Sequence, residues 1–159
     1  MSSRTSFQVA STRSSRGTVL SLSGVIDENA ELSPLSSVRE DVVINMKAVR
    51  RINSFGVRAW IDAVRQIPNS VSLVFVECPP PVIDQCNMVT GFLGHGVLES
   101  FYAPMTCEEC DEQLDQLFLT ETCRANDGKL PSTPCPRCAR DMEVDDLEEQ
   151  YLLFVREPR

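Results

Sequence analysis

Two CxxC pairs, Cys107 with Cys110 and Cys135 with Cys138, constrain this chain more than any other feature, because the 24 residues between them allow both pairs to close on one ion. A CxxC segment folds as a tight knuckle that turns two thiolates to one side. Two such knuckles complete a tetrahedral sulfur shell at a Zn–S distance of about 2.3 Å. A shell of four protein ligands leaves no position for water or substrate, so the spacing predicts a structural zinc rather than a catalytic one. The competing use of CxxC is thiol–disulfide exchange, which sets one pair at the start of a helix behind a strand. Cys135-Pro136-Arg137-Cys138 instead follows the Pro-rich stretch from Leu130 to Pro134. A CxxC thiol–disulfide enzyme stays open as an alternative of another class.

The 159 residues suit one ordinary domain, or a compact domain with a small one attached, and 42% hydrophobic residues supply a core. No apolar run of about 18 residues is present, and the Ser/Arg-rich start has no apolar signal region, so no membrane span and a cytoplasmic location are expected. Seven cysteines, an odd number, fit a reducing compartment better than a closed disulfide framework. Charge divides unevenly. Residues 1–104 carry nine Lys/Arg against nine Asp/Glu, and residues 105–159 carry six against fourteen, so the whole net charge of -8 lies in the second part. Such a surface repels phosphate backbones, which points away from nucleic acid and toward a protein partner.

Hydrophobic patterning supplies the element order. Phe7 to Arg13 and Thr18 to Ser23 alternate apolar and polar residues around Ser14-Ser15-Arg16-Gly17 and read as a hairpin. Glu28 to Ser37, with Pro34 inside it, reads as a short or irregular helix. Asp41 to Met46 and Val71 to Glu77 are continuous apolar runs typical of buried strands. Between them a helix begins near Ser54, expected as its cap, with Val57, Trp60, Ile61 and Val64 on one stripe. Pro81 opens a short helix through Met88. The turn Gly91 to Gly96 leads to a last strand at 97–103, and a strand-like run at 113–122 precedes the turn Asn126 to Lys129. The apolar end Tyr151 to Val155 fits a closing strand or helix docked on the first part.

The segments filling this order resemble a STAS domain, the fold of bacterial anti-sigma factor antagonists. The resemblance covers residues 7–104. It rests on Leu22-Ser23-Gly24-Val25-Ile26-Asp27, on Asp41 to Met46, and above all on Val49-Arg50-Arg51-Ile52-Asn53-Ser54-Phe55-Gly56-Val57. Members of that family place an Asp-Ser-Ser/Thr-Gly-like switch there, so Ser54 aligns with the phosphoacceptor serine and Gly56 with the glycine. The resemblance implies a protein partner, such as a kinase-like anti-sigma factor, engaged around Arg50, Arg51, Asn53, Ser54, Phe55, Gly56 and Arg58. A helix start accommodates the added charge of a phosphoserine, which would displace that partner. Asn53 replaces the family's Asp and Phe55 its small hydroxyl residue, a combination expected of a module that binds constitutively.

The sequence thus predicts an α/β fold: a STAS-like mixed sheet with helices packed on it at 1–104, and a small four-cysteine zinc-ribbon module with an acidic tail at 105–159. The expected function is non-enzymatic, that of a bacterial signalling or scaffold protein. A phospho-switched antagonist with Ser54 as acceptor is the alternative within that class. No Ser/His/Asp, HExxH or phosphate-loop arrangement is present. His95, the sole histidine, reads as an exposed loop residue, with substitution for a cysteine ligand as the other reading. Cys78, Cys86 and Cys123 read as buried small side chains.

Overall fold

A computed structural model describes residues 6–145 and 147–156. The ends of both expected parts, 1–5 and 157–159, and Asp146 lie outside it.

The hairpin forms as its alternation predicts. β1 (Gln8–Ser14) pairs antiparallel with β2 (Gly17–Ile26) through the two-residue turn Ser15-Arg16. Gly17, at φ 103, takes a backbone conformation that only glycine adopts cheaply. After the four-residue helix α1 (Ser33–Ser36), β3 (Val42–Ile52) runs parallel to β2, and β4 (Leu73–Val76) and β5 (Val97–Leu98) continue the sheet in parallel. Helix α2 (Ser54–Arg65) connects β3 to β4, and α3 (Pro80–Met88) connects β4 to β5.

The order β1-β2-β3-β4-β5 counts upward, and right-handed crossovers then place every connecting helix on the same face. Burial follows that asymmetry. Leu20, Ile44, Met46, Leu73 and Phe75 are buried, whereas Ser21 and Lys47 are exposed and Asn45, Val74 and Val76 only half-buried. An ion pair between Arg16 in the hairpin turn and Glu99 after β5, with contacts of 2.9 and 3.0 Å, joins opposite sides of the parallel strands.

The expected last strand breaks at Glu99. β5 ends in the first sheet, and β6 (Ser100–Thr106) becomes the centre of a second, antiparallel sheet in the order β7-β6-β8, with β7 (Gln113–Leu119) and β8 (Glu143–Val144). At the break Glu77 is left-handed (φ 53), its N–H donates to the buried Ser100 hydroxyl at 2.8 Å, and the backbones of Cys78 and Phe101 form a parallel bridge. β6 therefore spans residue 104. Its buried side chains Phe101, Ala103 and Met105 belong to one core with Trp60 and Phe75 on one side and Phe118, Tyr151 and Phe154 on the other.

One further expectation is corrected, and one left open between strand and helix is resolved. The strand-like run at 113–122 divides into β7 and helix α4 (Thr120–Ala125), which carries Cys123 into the core. The apolar end forms two helical turns, α5 (Glu148–Tyr151) and α6 (Leu153–Arg156), docked on α3. Asn87 holds them, donating to the Tyr151 carbonyl and accepting from the Phe154 N–H, each at 2.9 Å. Among the described residues no helix is long and apolar enough to cross a membrane.

Candidate metal centre and the start of helix α2

The two knuckles have the same backbone design. In the first, the Cys107 N–H donates to the Glu112 carbonyl at 2.9 Å, and the Asp111 N–H returns to the Cys107 carbonyl at 2.8 Å. In the second, Cys135 donates to Arg140 at 2.7 Å and Ala139 returns to Cys135 at 2.9 Å. Each turn closes only if the residue after its second cysteine is left-handed, and Asp111 (φ 61) and Ala139 (φ 67) are. The first knuckle joins β6 to β7, and the second is framed by a bridge between Pro134 and Asp141.

These turns bring all four sulfurs within 4.8 Å of one another. Sulfurs of different knuckles approach closely, Cys107 to Cys138 at 3.4 Å and Cys110 to Cys135 at 3.6 Å, and none of the thiols is in a disulfide. A tetrahedron with metal–sulfur bonds of about 2.3 Å has sulfurs roughly 3.8 Å apart, so the four can hold a thiophilic cation. Cys107 and Cys135 are buried, Cys110 is half-buried and Cys138 exposed. Burial opposes ionisation of Cys135, but N–H groups of Cys138 and Arg137 aimed at its sulfur outweigh that and bring it down to about 7. At Cys110 the Glu112 N–H favours the thiolate, yet burial and the other three thiols push it up to about 12. Crowded sulfurs thus resist ionising together, and a cation relieves the repulsion.

Arg137 pairs with Glu112 at 3.4 Å and Arg140 approaches Glu109 at 4.0 Å, each joining the second knuckle to the first. Spacing did not reveal these pairs, although acids around Cys107 and Cys110 facing bases around Cys135 and Cys138 are a signal in the sequence. His95 is exposed, its Nε2 2.9 Å from the Val71 carbonyl, and takes no part in the cluster. Cys78 and Cys86 are buried in the core; burial raises both, Cys86 to about 12, so they remain thiols. Cys123 is buried on α4 and lifted to about 11 by burial and by Glu148.

At the start of α2 the cap is Asn53, not Ser54. Asn53 is extended and its Oδ1 accepts from the Gly56 N–H at 2.8 Å, while its Nδ2 donates to Glu28 at 3.2 Å. Asparagine is among the strongest caps, and Ser54 falls one residue later, exposed, at the first helical position. Gly56 is buried: a Cβ there would lie 1.9 Å from the Ile26 carbonyl oxygen. Arg50, Arg51 and Arg58 are exposed near this start and enter no ion pair among the described residues. Phe55 is 67% exposed.

No family model matches the chain, and no curated protein matches it.

Proposed function

We propose that this chain is a non-enzymatic, cytoplasmic interaction protein of a bacterial signalling or scaffold kind, with a STAS-like module that meets a protein partner through the start of α2. Phe55 carries this reading. An aromatic ring 67% exposed costs solubility unless something covers it, and exposed Arg50, Arg51 and Arg58 lie within five residues of it in the sequence. Arginines around an aromatic anchor are the composition of interface hot spots. The partner surface that fits is acidic with an apolar recess. Ser54, exposed at the first turn three to four residues after Arg50 and Arg51, supports phospho-control of the same surface as a second reading, since helix N–H groups and guanidinium groups both favour phosphate.

Zinc is the ion proposed for Cys107, Cys110, Cys135 and Cys138, as a structural staple in a zinc-ribbon-like module. Thiol exchange would use the two sulfurs of one CxxC as its reacting pair. Here all four sulfurs converge within 4.8 Å, with close approaches between different knuckles, which favours a ligand role.

A photo-crosslinking residue at position 55, expressed in the native host, tests the surface. The expected result is a protein adduct that is lost in the Arg50→Glu/Arg51→Glu variant and absent when the crosslinker replaces exposed Leu117 on β7. Identical adducts from positions 55 and 117, or none from 55, would sink the reading.

A further inference from the structure

A cavity of about 290 Å³ lies between the α/β part and the elements that follow β7. Cys86 on α3, Phe92 in the loop after it, Leu98 on β5 and Phe154 on α6 make its apolar walls, and Thr120 and Arg124 contribute from α4. Spaced four apart, Thr120 and Arg124 share one face of that helix. The walls are fixed on both sides. Trp60 donates to the Phe92 carbonyl at 2.8 Å and stacks on its ring at 5.7 Å, and Phe154 is set edge-on against Phe101 at 5.0 Å. Val97, 62% exposed, sits at the rim.

A second observation falls at the same place. The Thr120 hydroxyl is shut off from bulk water and is, among the described residues, the sole buried side-chain polar atom with no hydrogen-bond partner. Buried polar groups are almost always satisfied, and an orphan one requires an explanation. The Arg124 guanidinium pairs with Glu121 at 2.9 Å through Nη1, and among the described residues the rest of its fork has no ion-pair partner. Fixed apolar walls with few polar groups, at a junction between structural units, describe a small-molecule site.

We infer that this cavity binds an amphipathic monoanion, a medium-chain or aromatic carboxylate, with its apolar part against Phe92, Leu98 and Phe154 and its carboxylate on Arg124. The Thr120 hydroxyl donates to the ligand after a rotation about its side-chain bond. At about 30 Å³ per water-sized group the space holds roughly ten non-hydrogen atoms, the size of octanoate. This site is independent of the α2 surface and of the cysteine cluster.

Calorimetric titration of the full chain with octanoate, and with 1-octanol as the uncharged control, tests it. Octanoate binds saturably at one per chain, and 1-octanol binds about tenfold or more weakly. Arg124→Gln, a surface change, reduces octanoate to the level of the alcohol without altering the alcohol. Thr120→Val weakens octanoate binding while raising the melting temperature of the ligand-free protein, because it removes the orphan hydroxyl. Absence of saturable octanoate binding at millimolar concentration, equal binding of the two probes, or an Arg124→Gln variant that binds octanoate like the wild type would each overturn the proposal.

Discussion

Gly56 and Ala139 show opposite uses of a missing side chain. Gly56 has ordinary helical dihedrals, yet a methyl group would collide with the Ile26 backbone at 1.9 Å, where β2 and the start of α2 approach most closely. Gly56→Ala is therefore expected to destabilise by about 1–3 kcal/mol or more, despite alanine's better helix propensity, because a backbone carbonyl cannot rotate away as a side chain can. Urea denaturation measures it; an unchanged midpoint would show that the close approach relaxes freely. Ala139 sits at φ 67, where an L-residue pays about 1–2 kcal/mol. Ala139→Gly should stabilise the metal-bound protein by up to about 1 kcal/mol after the extra unfolded-state entropy is deducted. A fall in chelator resistance would refute that. Asn53 carries a related lesson. An aspartate could cap α2 equally well, but it would lose the donor to Glu28 and set a second carboxylate beside it. Asparagine at position 53 thus has a local reason that does not involve phosphorylation.

Elements whose direction is set by local chemistry were legible in the sequence. The hairpin follows from period-two alternation around Gly17, β3 and β4 from their β-branched runs, α2 from its apolar stripe, and the cysteine cluster from spacing alone. What escaped was decided by tertiary contact. The break at Glu99 goes with the left-handed Glu77 just past β4, whose N–H meets the Ser100 hydroxyl 23 residues later. The change from β7 to α4 at Thr120 buries Cys123, a gain that alternation at 113–119 cannot announce. Tyr151 to Val155 is apolar throughout, so neither period shows, and the Asn87 side chain resolves it into two turns. The site divides in the same way. The four cysteines were readable, whereas the Thr120 hydroxyl and the cavity beside it depend on where four separate elements meet.

At the scale of the molecule, β6 is the decisive element, since it is bridged at one end to Cys78, two residues past β4, and leads into Cys107 at the other. The proposed zinc then fastens more than a small appendage. Its removal should weaken the frame that holds β7, β8 and the α4 wall against Phe101 and Met105. Treating the purified protein with a chelator is expected to lower the melting temperature of the whole chain in one transition, seen alike by far-UV circular dichroism and by tryptophan fluorescence at Trp60. Two separate transitions, with the Trp60 signal unmoved, would show that the cysteine-bearing part unfolds alone. A ligand that binds only the folded state stabilises it in proportion to the logarithm of its free concentration. Because β6 is shared, that dependence reaches residues far from the sulfurs. Cells short of zinc would then hold less of the intact surface proposed for a partner as well as an emptied cluster, and the amount of this protein that survives proteolysis would track the zinc supply.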